Sequence, residues 1–223
     1  MARSFPRKKR NTVTRRQKPL ILIIAEGQNV TESQYFRHFQ EQHADYNIKI
    51  LIPGHITDPS GMQKTILRYW DQYEMDEEKG DVAFIVLDLD CNSEKGRLIR
   101  KLEKENDNAR FVVSNPCFEV WFLLHFRYST RAYYTSAEVI RDLRKYIPDY
   151  EKNTDVALLI ADDIEIAMKN AEKLRKHFLD IGAEWPSNAC NPRTDVPVVI
   201  DAIKRYRNRQ GNITAWMNSN KDR

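Results

Sequence analysis

The sequence predicts an α/β protein with a mostly parallel central sheet flanked by helices and a helical extension at its C-terminal end. Three observations carry this prediction. Short apolar runs recur four times between residues 19 and 115. The segments between them repeat their apolar residues at helical spacing. Alternation of strand and helix in this order requires a parallel sheet covered on both faces.

The elements follow in order. "PLILIIAEG" reads as a first strand, closed by a glycine. Thr31 to His43 reads as a helix. Thr31 and Gln34 stand at capping-box spacing, and Tyr35, Phe36 and Phe39 form its apolar face. "NIKILIP" is a second strand. "MQKTILRYWDQYEM" is a second helix, with Ile66, Tyr69, Trp70 and Tyr73 on one stripe. "VAFIVLD" is the third strand, Ser93 to Lys104 a polar helix and "RFVVS" the fourth strand. Asn115 and Pro116 then read as a cap and a first-turn proline, opening the apolar helix "CFEVWFLLHF". Downstream, "SAEVIRDLRKYI", "DVALLIADDIEIAMKNAEKLRKHF" and "DVPVVIDAIKRYRN" are amphipathic helical stretches. The chain divides into a basic tail at 1–18, expected to be unstructured, an α/β core at 19–127 and a helical extension packed on the core at 128–223.

Composition bounds the function. A chain of 223 residues with 41% hydrophobic and 30% charged residues can bury one sizeable core under a soluble surface. No signal peptide and no membrane span are expected, because the longest apolar runs are too short. Cys91, Cys117 and Cys190 form no CxxC pair, which argues against a zinc site or disulfide framework and for the cytoplasm. The net charge of +4 is a property of the tail. Residues 1–18 hold eight basic residues and no acid, leaving 28 basic against 32 acidic residues, a net of −4, in the rest. Such a tail binds polyanions without reading sequence, or is merely solvated.

Ligands of open α/β sheets sit beyond the carboxyl ends of the strands. There the first strand ends on Glu26, the third on Asp88 and Asp90, and the fourth on Ser114 and Asn115, with Glu119 one turn further on. Clustered carboxylates repel unless a proton or cation joins them. A hard, oxygen-seeking ion such as Mg²⁺ (or Mn²⁺) suits this set. The ordinary alternative is acids emerging into water. Within "CFEVWFLLHF" only Glu119 and His125 are polar, so Glu119 is expected to be buried and to need a partner, by hydrogen bond or by metal. His125 reads as a packing residue.

Four chemistries compete for "DLDCN". A calcium EF-hand loop fails, since its sixth and twelfth positions hold Ser93 and Ile99 instead of Gly and Glu. A haloacid-dehalogenase-type phosphatase is disfavoured by Asn92 and by the motif's late position. A sugar-nucleotide transferase lacks any other support. The Toprim arrangement pairs a Glu after the first strand with a DxD after a later one, and both are present in that order. Taken together, "IIAEGQNVTESQYFRHF", "FIVLDLDCN" and "SNPCFEVWFLLHF" resemble the RloB-like family, related to the abortive-infection component AbiLii, from about residue 20 to residue 205.

The resemblance implies a Toprim-like fold and a place in restriction-linked or anti-phage loci, often beside an ATPase of the AAA/ABC type. The implied activity is metal-dependent cleavage of RNA or DNA, with transfer RNA among the candidate substrates. One or two Mg²⁺ (or Mn²⁺) ions would be held by Asp88 and Asp90, with Glu26 as ligand or general base. Glu119 would support the site or bind a second ion. Lys152, in "YEKN", is a candidate for stabilising phosphorane charge or else a solvated lysine. In the tail, Arg7, Lys8, Lys9, Arg10, Arg15 and Arg16 are candidates for gripping a nucleic-acid backbone. A non-catalytic regulatory or assembly subunit of an ATPase complex, and a phosphatase, are the alternatives.

Overall fold

The structure, a computed structural model, describes residues 18–26, 31–40, 46–52 and 54–208. The basic residues assigned to nucleic-acid binding, Arg7, Lys8, Lys9, Arg10, Arg15 and Arg16, lie outside the described residues.

Five strands form one sheet in the order β2-β1-β3-β4-β5: β1 (Leu20–Ala25), β2 (Asn47–Leu51), β3 (Val82–Asp88), β4 (Arg110–Asn115) and β5 (Arg193–Thr194). The first four are parallel, and β5 runs antiparallel to β4. The α/β prediction holds. The fifth strand is absent from the sequence reading, because a two-residue strand has no period to detect.

Period-two alternation explains the two cores. Ile21, Ile23, Ala25, Val82, Phe84 and Val86 face one layer, while Leu22, Ile24, Ala83, Ile85 and Leu87 face the other. The second layer is covered by α2 (Pro59–Gln72) and α3 (Ser93–Glu105) through Met62, Ile66, Trp70, Ile99 and Leu102. The first is covered by α1 (Thr31–Arg37), α4 (Glu119–Leu124), α5 (Ser136–Leu143), α7 (Ile164–Asp180) and α8 (Val196–Asn208). Short α6 (Ala157–Ile160) and a 3₁₀ turn (Ala161–Asp163) lead into α7, so the single long stretch predicted over 155–178 is divided. Tyr35 packs on Phe36, Phe118 and Phe122 with ring centroids 5.4, 5.8 and 5.6 Å apart. Every residue of α4 is buried, as its apolar sequence predicts.

Three other expectations are corrected. The first helix ends at Arg37 rather than His43, and the backbone turns through His38 and Phe39. The second begins at Pro59, because Asp58 accepts a hydrogen bond from the Gly61 amide at 2.8 Å and caps it. Asn115 is no helix cap. It ends β4, and its amide accepts from the Cys91 N–H at 3.2 Å and donates to the Cys190 carbonyl at 2.9 Å. The helix starts only at Glu119. Among the described residues no helix is long and apolar enough to cross a membrane.

Candidate functional site

Strand order creates the site. The chain leaves β1 for β2 on one side, then crosses back to place β3 on the other side of β1. The carboxyl ends of β1 and β3 are therefore neighbours at a switch point, the place where open α/β sheets bind their ligands. Ala25 is in register with Val86, and the Glu26 amide donates to the Val86 carbonyl at 3.0 Å. Glu26 Oε2 in turn accepts from the Asp88 amide at 3.0 Å. Thus Glu26 and Asp88, 62 residues apart in sequence, are tied directly to each other.

The DLDCN turn is set by its neighbours. The amides of Leu89 and Asp90 donate to the carbonyls of Ser114 and Pro116 at 2.7 and 3.0 Å. Asp90 and Cys91 both take left-handed backbone, at φ 54° and 53°. Such conformations in non-glycine residues are costly and gather at functional turns. Asn92 ends the turn as the cap of α3, its Oδ1 accepting from the amides of Glu94 and Lys95 at 2.9 and 3.0 Å.

Alternation then sorts the acids to two sides of the sheet edge. Asp88 continues the series Val82, Phe84, Val86 and so faces the layer of α1 and α4. Those helices bring Glu32 and Glu119, which are 7% and 2% exposed. Glu119 Oε1 accepts from the Tyr150 hydroxyl at 3.1 Å. Asp88 Oδ1 and Glu32 Oε2 are buried without a hydrogen-bond partner. Burial, then the charges of Glu32 and Glu119, push the Asp88 carboxyl well above its usual range. Burial raises Glu32 to about 7, helped by Glu119 and opposed by its own amide and Lys152. Lys152 follows Tyr150 in a turn fastened to α1, where the Asn153 amide donates to Thr31 Oγ1 at 3.1 Å. Burial works against the Lys152 ammonium, but Glu119, Asp88 and Glu32 outweigh it and raise its pKa. The predicted residues Asp88, Glu119 and Lys152 are thus brought together, with Glu32 added.

On the other side, Lys95 of α3 meets Glu26 and Asp90. Its Nζ lies 3.0 and 3.1 Å from the two Glu26 oxygens and 3.2 Å from Asp90 Oδ2. Burial raises the Glu26 pKa, and Lys95 opposes it. A lysine in the first turn of a helix sits at the positive end of the dipole, at a cost of about 0.3–1 kcal/mol, so its carboxylate partners hold it there.

Glu32 and Lys95 are the residues that sequence reasoning misses. Glu32 is hidden by its place beside Thr31, where an acid looks like helix-start decoration. Lys95 carries one readable signal, a cation at the wrong helix end five residues after Asp90. His125, read as a packing residue, is one: its Nδ1–H donates to the Trp121 carbonyl at 2.9 Å, and burial lowers its pKa to about 4.

Five carboxylates (Glu26, Glu32, Asp88, Asp90, Glu119) face two ammonium groups (Lys95, Lys152), a net of −3 when all are ionised. Such a group calls for protons or for a further cation. Among the described residues, no three acid, histidine or cysteine side chains lie close enough to hold one metal ion. An all-oxygen donor set with two orphaned buried carboxylate oxygens nevertheless fits Mg²⁺, which keeps several waters and takes one or two carboxylates together with substrate phosphate.

A search of curated proteins and of solved structures finds no match to the chain. The family described as RloB-like protein matches residues 21–203. That span includes both strand ends, the capped turn with Lys95, Glu32 on α1, Glu119 on α4 and the turn of Lys152. The chain belongs to the RloB-like protein family.

Proposed function

We propose that this protein is a divalent-metal-dependent nuclease that hydrolyses phosphodiester bonds of RNA or DNA, serving as effector in anti-phage defence under the control of an ATPase partner. The observation that carries the chemistry is Asp88 Oδ1, buried and without a hydrogen-bond partner, with Glu26, Glu32, Asp90 and Glu119 around it. The defence role, the ATPase and a cytoplasmic location rest on the resemblance to RloB-like and Toprim proteins.

Asp88, Asp90 and Glu26 would hold the ion. When bound, Mg²⁺ or Mn²⁺ would neutralise charge on the scissile phosphate and make a bound water more acidic. The chain's own contribution is electrostatic. Lys152 adds fixed positive charge next to Glu119 and Asp88, where a phosphate gaining negative charge would meet it. Tyr150 holds Glu119 in place through its hydroxyl. The Glu26–Asp88 hydrogen bond fixes the two strand ends relative to each other.

The decisive experiment incubates the protein, with its neighbour-encoded ATPase present, with mixed transfer RNA and plasmid DNA in Mg²⁺ or EDTA. Cleavage is expected in Mg²⁺ alone and is expected to vanish in Asp88→Asn and Glu26→Gln. Cleavage that survives EDTA, or both substitutions, defeats the proposal. The Lys95 ion pair with Glu26 and Asp90 favours a second reading, an acidic site neutralised for structure in a non-catalytic subunit of an ATPase complex. Under that reading neither nucleic acid is cut while the ATPase still co-purifies with the chain.

A further inference from the structure

Lys95 stands out among the charged groups of the site. Its side chain is 12% exposed, and its single ammonium touches both oxygens of Glu26 and one oxygen of Asp90. These are two of the three acids that the proposed function gives to a metal. They are also on the same side of the sheet edge, whereas the third, Asp88, faces the opposite layer and keeps an oxygen free. An ammonium contacts carboxylate oxygens at about 3 Å, while Mg²⁺ demands about 2.0–2.1 Å and near-octahedral geometry. The two cations cannot share the same oxygens. With Lys95 in place, Glu26 and Asp90 are spoken for, in keeping with the lack of a three-residue metal group among the described residues.

The position of Lys95 is not an accident of a long side chain sweeping through solvent. Its own amide is held by the Asn92 cap at 3.0 Å, so the root of the side chain is fixed at the helix start. Gly96 follows it and lies so close to the Trp185–Pro186 segment that an added Cβ would come 2.5 Å from the Pro186 carbonyl oxygen. The helix start is wedged between the turn and that segment. It therefore presents Lys95 to the strand ends with little freedom of the backbone.

We propose that Lys95 is a built-in counter-cation which competes with the divalent ion for Glu26 and Asp90, so that metal loading is an exchange of one ammonium for one ion. This rests on the metal-dependent reading of the site. The consequence is regulatory. Glu26 and Asp90 stay paired with an ammonium without metal, and the threshold of metal concentration is set by how firmly Lys95 is held. Anything that moves the first turn of α3, such as a partner pressing on it or substrate phosphate drawing the ammonium away, lowers that threshold. Once displaced, the ammonium is available to an anionic substrate.

The test uses the full chain, stripped of metal with chelator and titrated with Mn²⁺, free ion being followed by electron paramagnetic resonance. Lys95→Met keeps the length of the side chain and removes the charge. Removing a competing charge 3.0 to 3.2 Å from the ion's ligands is expected to tighten Mn²⁺ binding by roughly tenfold or more. The chelated Lys95→Met protein is expected to unfold at lower temperature than the parent, and saturating Mn²⁺ is expected to bring the two together. By the thermodynamic cycle, the affinity gained and the metal-free stability lost are the same quantity measured twice. Lys95→Gln, which keeps a polar end, provides the same comparison should Lys95→Met fold poorly. Unchanged or weaker Mn²⁺ binding in these variants, with binding to the parent still abolished by Asp88→Asn, overturns the exchange and leaves the metal site standing. If no Mn²⁺ binding depends on Asp88 in either background, the metal-dependent reading falls, and the exchange with it.

Discussion

Asp88 serves two opposed demands. Its backbone ends a strand in good register, with Asp88 opposite Ser114, while its side chain joins a group of carboxylates that burial leaves poorly solvated. A residue kept against the interest of stability is the signature of a site. Asp88→Asn keeps the shape and removes the charge. It is expected to raise metal-free stability by about 1–2 kcal/mol in a denaturant titration and to abolish cleavage; a loss of stability would contradict the repulsion. Glu32 supplies a pH test. Its folded pKa, about 7, is above the ordinary 4.5, so the folded protein binds this proton more tightly than the unfolded chain does. The associated stability is full below about 4.5 and is lost as pH rises through about 7. Metal-free melting temperature is therefore expected to fall between pH 5 and pH 8. In Glu32→Gln the fall should be shallower, with about 1–3 kcal/mol more stability than the parent at pH 8. Parallel pH profiles would remove Glu32 from the buried cluster.

At the scale of elements, α3 is the part on which the site depends most. Its cap, its first lysine and its closest backbone approach fall within residues 92–96. Gly96→Ala would place a Cβ 2.5 Å from the carbonyl oxygen and 3.2 Å from the carbonyl carbon of Pro186, both backbone atoms. The helix must shift, and a loss of about 1–3 kcal/mol is expected from thermal unfolding. Asn92→Ala removes the acceptor of two amides and is expected to cost about 1 kcal/mol. If Lys95 is presented by this turn, both substitutions also change the apparent Mn²⁺ affinity, whereas an equivalent loss of stability made in α2 leaves it unaltered. The element-level reading of Asn115 failed for a physical reason. The local Asn-Pro pair looks like a helix start, but tertiary hydrogen bonds to the Cys91 amide and the Cys190 carbonyl hold Asn115 at the strand end.

For the molecule as a whole, the α/β part and the helical extension share one core. Val82, Phe84 and Val112 of the sheet pack with Leu143, Leu174, Val199, Ile200 and Ile203 of the later helices. β5 joins the sheet itself, and the Ser114 and Thr194 hydroxyls meet at 2.8 Å. One cooperative transition is expected in calorimetry, with calorimetric and van't Hoff enthalpies equal. Deletion of residues 193–208 is expected to leave a chain with no cooperative melt, since it removes Val199, Ile200 and Ile203 from the core and exposes the sheet residues packed with them, such as Val112. Two separate transitions would show that the halves fold independently.

Much of this organisation was legible beforehand. Strands β1, β3 and β4 stand out because parallel strands buried on both faces read as nearly continuous apolar runs, and Glu26, Asp88 and Asp90 stand out because they follow or end those runs. The sequence by itself determined the α/β class, the helix of buried aromatics and the three acids at the strand ends, since each is written in local period or in its interruption. Only the tertiary structure decided that Glu32 and Lys152 join Asp88 and Glu119, that Lys95 occupies Glu26 and Asp90, and that a two-residue strand closes the sheet. Those facts depend on strand order and on contacts across as many as 122 positions of chain, such as the Asn153–Thr31 bond that delivers Lys152. No local pattern encodes them, because a charged residue in a first turn reads the same whether it faces water or a buried carboxylate.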